Sequence, residues 1–199
     1  GIKVDDSIKV TKNVLEKGIA DYVILTGLVA NVFLAASGTN IGMPNLEFIR
    51  SQGYDDQIDV AKEILTLFDE KIMLPVDFAL NKEGKRVEVT SGAEIDYPIH
   101  DIGLKTVTKF QETIRSSKTV VVNGPAGVFE DKEFSYGTFE MLKSVSECEY
   151  GVIGGGHIVA ALGELGIEEK MWHVSTGGGA CISYLSGETL PGVTALCKR

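Results

Sequence analysis

The chain has 199 residues, of which 44% are hydrophobic and 24% charged, the composition of a folded domain of ordinary size. Its formal net charge of −9 excludes the basic surface that binds nucleic acid or an anionic membrane, so neither partner is expected. The longest apolar stretch, residues 22–36, is interrupted at Thr26, Gly27 and Asn31 and is too short for a membrane span. The three cysteines lack the spacing of a metal site, which predicts a reducing, cytoplasmic compartment.

The predicted elements alternate between helices and short apolar strands. A helix is predicted over about residues 6–17, and strands are predicted at 22–25, 72–76, 119–122, 150–153 and 172–174. The strands are continuous apolar runs, which is typical of a parallel sheet with helices on both faces. The sequence therefore predicts an α/β fold with a three-layer, Rossmann-like parallel sheet in a single domain.

Three segments between the strands carry apolar residues at helical spacing, which predicts helices packed on the sheet. The residues that share these faces are Ile58, Ala61, Leu65 and Phe68, then Leu104, Val107, Gln111 and Ile114, and then Ile158, Ala161, Leu162 and Leu165. Residues 81–99 differ, because they are charged and alternate in polarity at 86–90. They predict a surface hairpin inserted between two strand–helix units.

The first helix has a topological consequence. A helix that leads into a parallel strand normally follows another strand of the same sheet, joined to it by a right-handed crossover. No strand-like run precedes residues 6–17 in this sequence. We therefore expect the first strand of the sheet to be missing from this chain, which leaves a central position of the sheet vacant.

Glycines follow four of the predicted strands. They lie at Gly27, in NGPAG at 123–127, in GGG at 154–156 and in STGGG at 175–179. The carboxyl ends of parallel strands share one edge of the sheet, where glycine lets free backbone amides approach an anionic ligand. The sequence lacks a P-loop motif, and GGGHIV at 154–159 lacks the third glycine of a dinucleotide fingerprint. The predicted ligand is therefore a nucleotide with a polyphosphate tail.

Together, these turns resemble those of the C-terminal, nucleotide-binding lobe of phosphoglycerate kinases. The stretches that carry the resemblance are GIKVDD at 1–6, NGPAGVFE at 123–130, GGG at 154–156 and HVSTGGGA at 173–180. Shorter matches lie at 74–77, 101–103 and 190–193. The resemblance spans nearly the whole chain and implies that residues 1–199 form one lobe of a two-lobe kinase, with the N-terminal substrate lobe absent.

The resemblance also implies roles for individual residues. Lys3 matches the lysine that supports the phosphoryl group in transfer, and the amides of Gly156, Gly178 and Gly179 match groups that face the same phosphate. Glu130 matches the acceptor for the ribose hydroxyls. The residues implied to bind the nucleotide are Gly27, Asn123, Pro125, Val128, Glu130, Gly155, Gly156, His157 and Ile158.

Three positions depart from the family pattern. His157 stands where most members have an aspartate that helps to hold nucleotide-bound Mg²⁺, Ser7 replaces a lysine, and Ile99 replaces a glycine. An imidazole is a poor ligand for Mg²⁺, so we expect the nucleotide to carry the ion, with no metal ligand on this chain. The departures are typical either of a divergent, archaeal-type branch or of weakened nucleotide affinity, and we favour the first.

The resemblance implies a glycolytic phosphotransferase that moves a phosphoryl group reversibly between 1,3-bisphosphoglycerate and ADP, giving 3-phosphoglycerate and ATP. The absent lobe would bind 3-phosphoglycerate. We expect the isolated chain to bind nucleotide but to be inactive, because closure of the two lobes assembles the site. The alternative is a stand-alone nucleotide-binding module with a regulatory or scaffold role.

Overall fold

A computed structural model of the protein describes residues 2–175, 177 and 179–197. Within these residues the helices are α1 Val4–Glu16, α2 Gly27–Ala36, α3 Met43–Ser51, α4 Gln57–Phe68, α5 Leu104–Ser116, α6 Tyr136–Val145, α7 Gly156–Leu165, α8 Gly179–Leu185 and α9 Pro191–Cys197. The strands are β1 Val23–Ile24, β2 Ile72–Met73, β3 Asp77–Lys82, β4 Lys85–Thr90, β5 Ile99–Ile102, β6 Thr119–Val122, β7 Tyr150–Gly154 and β8 His173–Ser175. Short 3₁₀ turns precede β2, α6 and β8.

The parallel strands form two separate sheets. β1 pairs with β2, and β6, β7 and β8 pair in that order. In the second sheet Val122 lies opposite Ile153 and Gly154 lies opposite Ser175, so the turns that follow these strands leave from one edge. The predicted α/β fold with parallel strands and helices on both faces is confirmed.

A groove lies between the two parallel sheets. Among the described residues, β1 and β6 are not hydrogen-bonded to each other, and both line a cavity of about 830 Å³. Helices α1 and α6 also line it, through apolar side chains such as Val10 and Met141. A strand that precedes α1 in a right-handed crossover would pair beside β1 at this place. The structure thus confirms the vacant position that the sequence predicted.

The inserted hairpin begins earlier than predicted, with a buried first strand. β3 pairs with both β4 and β5, in an antiparallel sheet of order β4-β3-β5. The sequence predicted a surface excursion that begins at residue 81, but β3 begins at Asp77, and Phe78 and Leu80 are only 1% and 2% exposed. Both residues precede the predicted excursion, and the surface hairpin is confirmed: residues 81–99 are exposed or half-buried apart from Ile95, and β3 pairs with β4. The start of β3 is buried because β5 covers its second edge and its apolar side chains join the core formed with α2.

Two apolar cores support the sheets. One combines α1–α4 with β2 and β3, and the other combines α5–α7 with β5 and β7. The side chains on the predicted helix faces are buried or half-buried, apart from Leu104. Leu104 is 51% exposed because it is the first residue of α5, at the solvent end of the helix. In the described part of the chain, no helix has both the length and the apolar character needed to cross a membrane.

Candidate nucleotide-binding site

One pocket lies where the turns after β1 and β6 meet the start of α7. Its volume of about 430 Å³ is in the range of small-molecule sites. The pocket is lined by five residues that the sequence predicted to bind a nucleotide, namely Gly27, Pro125, Val128, Glu130 and His157. The structure therefore brings the turns after β1 and β6 and the first turn of α7 to one cavity, whereas Asn123 and Ile158 line the groove of about 830 Å³. The binding role of these residues stays a prediction.

The NGPAGVFE loop, which forms one wall of the pocket, is fixed to β5 and α6. The Val128 amide donates to the His100 carbonyl at 2.8 Å, and the Ala126 amide donates to Thr138 Oγ1 at 3.0 Å. Gly127 lies so close to β5 that a Cβ there would be 2.4 Å from the His100 carbonyl oxygen. The loop therefore needs glycine at this position for steric reasons.

Asp101 joins three elements beneath that loop. Its side chain is fully buried, and its carboxylate accepts hydrogen bonds from the Gly137 amide of α6 at 2.7 Å and from Arg86 Nη1 of β4 at 2.8 Å. Burial raises the pKa of the Asp101 carboxyl, and the hydrogen bond from Arg86 opposes that rise. The sequence did not predict this pair. The only indication in the sequence was that Arg86 lies in the stretch at 86–90, which alternates in polarity. An arginine with little exposure usually has an acidic partner.

His100 forms an adjoining part of the pocket wall as a neutral imidazole. Asn81 Oδ1 accepts a hydrogen bond from the Gly84 amide at 2.7 Å, so the Asn81 side-chain nitrogen donates to His100 Nδ1 at 3.2 Å and Nε2 carries the ring proton. Burial lowers the pKa of His100, and the charge of Asp131 opposes this shift. The imidazole therefore provides packing surface and one N–H donor without a charge at neutral pH.

The start of α7 carries amides that suit phosphate groups. Gly155 precedes the helix at φ +106°, a conformation that favours glycine, and no side chain caps the first turn. The amides of Gly156, His157 and Ile158 lack partners within the helix and are available to an anion. Asn123 Oδ1 is 3.0 Å from the position that a Cβ of Gly155 would take, so Asn123 lies beside the helix start.

The side chain of Ile158 has a different role from its amide. It is 2% exposed and belongs to the core with α6 and β7. Only the backbone of Ile158 is therefore free to face a nucleotide. The His157 side chain, in contrast, is exposed and lines the pocket.

Two of the residues predicted for catalysis, Lys3 and Gly156, are chain neighbours of residues that line the pocket. Lys3 is exposed immediately before α1, next to the pocket residue Ile2. Within the described residues, the side chains of Lys3 and Glu130 form no ion pair, so both charges are open to a ligand. Gly179 begins α8 and is not one of the described residues that line the pocket, and Gly178 lies outside the described residues.

The described side chains around the pocket include one exposed carboxylate, that of Glu130, and form no cluster of metal ligands. Across residues 2–175, 177 and 179–197, no group of three or more His, Cys, Asp or Glu side chains is placed to hold a metal ion. Mg²⁺ prefers several oxygen ligands. The Asp101 carboxylate is already bound to Arg86, and His157 offers a nitrogen instead of an oxygen.

The parallel strands, the glycine-bearing turns at their carboxyl ends and the pocket among those turns place the chain in the class of open α/β domains with a ligand site at one sheet edge. The family model described as phosphoglycerate kinase matches residues 1–188. The chain is 54% identical over 198 residues to a phosphoglycerate kinase of Methanosarcina mazei, and 52% identical over 201 residues to one of Methanococcus maripaludis; the alignments cover 98% and 100% of this chain. The chain belongs to the phosphoglycerate kinase family.

Solved structures show the same fold. The crystal structure of the phosphoglycerate kinase from Pyrococcus horikoshii OT3 is similar with a TM-score of 0.93 and 44% identity, over 98% of this chain and 50% of that one. The enzyme structure from Coxiella burnetii gives a TM-score of 0.86 and 31% identity, over 100% and 51%. The chain spans about half the length of the curated relatives it matches, 48% in both cases named above. Those relatives are archaeal, as the departures from the family pattern led us to expect.

Proposed function

We propose that this chain is the nucleotide-binding half of a phosphoglycerate kinase. In this proposal it binds ADP or ATP and contributes to reversible phosphoryl transfer between 1,3-bisphosphoglycerate and ADP, which gives 3-phosphoglycerate and ATP. The observation that carries the proposal is the convergence of the turns after β1 and β6 with the first turn of α7 on one pocket of about 430 Å³. A cytoplasmic, glycolytic setting follows from that activity.

The pocket supplies different groups to the different parts of a nucleotide. Gly27, Pro125 and Val128 provide surface for the base and ribose, and the exposed Glu130 carboxylate accepts hydrogen bonds from the ribose hydroxyls. The free amides at the start of α7 receive the phosphate tail, because backbone N–H groups at a helix N-terminus attract anions. A chain with net charge −9 can thus hold an anion without a basic patch.

Phosphoryl transfer depends on positioning and on stabilising the charge spread over the transferring group. We assign the cation to Lys3 and the amide donors to Gly156, Gly178 and Gly179. No strong general base is needed on this chain. In this proposal Mg²⁺ is carried by the nucleotide phosphates, because His157 offers a nitrogen where Mg²⁺ prefers an oxygen.

The proposal divides the substrates between two halves of a longer enzyme. The chain spans about half of its relatives, so we assign the nucleotide to this half and the phosphoglycerate to the other. These 199 residues alone should then show no kinase turnover, because closure between two halves brings the substrates together. A measurable rate from the purified chain would contradict that statement.

A calorimetric titration with MgADP and with adenosine tests the site. Glu130→Ala should weaken both ligands by about tenfold, the effect of losing hydrogen bonds to a charged acceptor. Lys3→Ala should weaken MgADP by a similar factor and leave adenosine unchanged. The matched controls are Glu169→Ala and Lys109→Ala, which remove exposed charges of the same kind outside the pocket. If both site variants bind as the controls do, the pocket is not the nucleotide site.

A further inference from the structure

Arg86 joins the inserted hairpin to the segment in which the NGPAGVFE loop ends. It lies on β4, and its side chain is only 15% exposed. Its Nη1 donates to Asp101 Oδ2 at 2.8 Å and to the Glu133 carbonyl at 3.3 Å. Its Nη2 donates to the Ile102 carbonyl at 2.9 Å, and its Nε donates to Glu88 at 2.7 Å. The guanidinium therefore uses all of its nitrogens, and its partners belong to β4, β5 and the 3₁₀ turn before α6.

These contacts support a loop that carries pocket residues. The loop runs from the end of β6 to the 3₁₀ turn, and between these ends Val128 and Glu130 line the pocket. Arg86 itself is not among the described residues that line the pocket. The loop also rests on the carboxylate that Arg86 holds, because a Cβ at Gly127 would lie 2.6 Å from Asp101 Oδ1. Arg86 thus acts on the loop from outside the pocket, at its end and from below.

Stability alone does not account for a charged pair at this place. The cost of removing two charges from water offsets much of their attraction, and buried ion pairs can often be replaced by apolar side chains without loss of stability. Apolar side chains cannot reproduce the planar fork of a guanidinium, which holds a carboxylate and carbonyl groups in a fixed arrangement. Arg86 Cζ also lies 5.8 Å from the ring centre of Tyr136, the first residue of α6. The pair therefore fixes a geometry.

We propose that Arg86 is a positioning residue of the nucleotide site. By holding Asp101 and the Glu133 carbonyl, it fixes the NGPAGVFE loop so that the Glu130 carboxylate faces the ribose. The proposal rests on the nucleotide site described above and adds a residue outside the pocket that sets its geometry. Lysine cannot take over this role, because one ammonium group cannot reach all the partners of the fork. Nucleotide affinity therefore depends on the hairpin, although no described residue that lines the pocket belongs to β4.

A double-mutant cycle, measured by calorimetry with MgADP on the full chain, tests this role. Arg86→Lys keeps the charge and loses the fork, so it should weaken MgADP by about five- to tenfold through the lost hydrogen bonds of Glu130. In the Arg86→Lys background, Glu130→Ala should weaken MgADP further by no more than about twofold, because the effects of residues that act through one another do not add. Arg115→Lys is the matched control, since Arg115 forms an exposed ion pair with Glu147 and does not line the pocket. It should leave both the affinity and the effect of Glu130→Ala unchanged.

A second variant separates positioning from stability. Arg86→Met combined with Asp101→Asn removes both charges together, so no buried charge is left without a partner and the melting temperature should stay close to that of the unaltered chain. MgADP binding should still weaken as in Arg86→Lys, because the fork is absent. If this variant melts at the usual temperature and binds MgADP with the usual affinity, the fork does not position the loop.

The outcomes also separate this proposal from the one on which it rests. If Arg86→Lys binds MgADP as the unaltered chain does, or if Glu130→Ala has the same effect in both backgrounds, the role of Arg86 is overturned. If Glu130→Ala has no effect even in the unaltered chain, the nucleotide site itself is wrong and both proposals fail. If Glu130→Ala weakens MgADP in the unaltered chain and loses its effect after Arg86→Lys, both proposals stand.

Discussion

Substitution of Gly127 by alanine tests whether contact with β5 sets the shape of the NGPAGVFE loop. The new Cβ would lie 2.4 Å from the His100 carbonyl oxygen and 2.6 Å from Asp101 Oδ1, whereas ordinary contacts of a Cβ begin at 3.4 Å. Neither neighbour yields easily, because one is backbone of β5 and the other is a fully buried carboxylate bound to Arg86. The loop must therefore move away by about 1 Å.

The energetic consequence follows from two terms. Overpacking in a well-packed region costs about 1–3 kcal/mol. The shift also disrupts the 2.8 Å hydrogen bond from the Val128 amide to the His100 carbonyl, which contributes about 0.5–1.5 kcal/mol. We expect Gly127→Ala to lower the free energy of unfolding by roughly 2–4 kcal/mol, or the melting temperature by roughly 5–15 °C in a chain of this size. MgADP binding should weaken as well, because Val128 and Glu130 line the pocket.

Urea denaturation and calorimetry measure these effects, and Gly192→Ala is the matched control. A Cβ at Gly192, in α9, would have no neighbour within 4 Å, so this change should be neutral or stabilise by up to about 1 kcal/mol. If Gly127→Ala unfolds at the same urea concentration as Gly192→Ala and binds MgADP equally well, the loop is not set by its contact with β5.

Two further predictions concern the groove and the pH response. A peptide of about five β-branched residues should pair between β1 and β6 and slow amide hydrogen exchange in both strands. The same peptide with a central proline should not protect them. If the amides of β1 and β6 stay unprotected at a saturating concentration of peptide, the groove does not bind a strand. The pKa of His100 is lower in the folded chain than its ordinary value of 6.5, so the folded chain binds fewer protons than the unfolded chain. The contribution of neutral His100 to the free energy of unfolding is therefore present above pH 6.5 and is lost as the pH falls through the pKa of the folded state. His100→Gln should therefore lose less unfolding free energy on acidification, by at most about 1.4 kcal/mol per pH unit in urea titrations, and equal slopes would refute this.

Much of the fold could be predicted because strands and helices follow local patterns. β6 and β7 are short β-branched runs, and the helices beside them repeat their apolar residues at helical spacing. A vacant central position in the sheet could also be predicted, since the handedness of crossover connections restricts what precedes a helix. Its location between β1 and β6 could not be predicted, because it depends on the order of the strands. The burial of β3 could not be predicted, because it depends on pairing with β5 across 18 or more residues of intervening chain.

The site could be predicted only in part, because some of its contacts join residues that are far apart in the sequence. Glycine-bearing turns are recognisable by composition and by their place after strands, so Gly27 and the turn at 123–127 could be assigned to one edge of the sheet. Val128 and Glu130 were assigned from the family resemblance. The partnership of Asp101 with Arg86 is a contact between strands that no local pattern encodes. In the sequence, Asn31 appeared only as an interruption of an apolar stretch, because the sequence does not show that this residue lines the pocket.

The central claim is that the turns after β1, β6 and β7 hold an adenosine phosphate together. Titration of ¹⁵N-labelled chain with MgADP, followed by amide chemical shifts, tests it most directly. The largest changes are predicted at Gly27, Val128, Glu130, Gly156 and His157, with saturation at one equivalent. Changes confined to the groove between β1 and β6, or no changes at a saturating concentration of nucleotide, would contradict it.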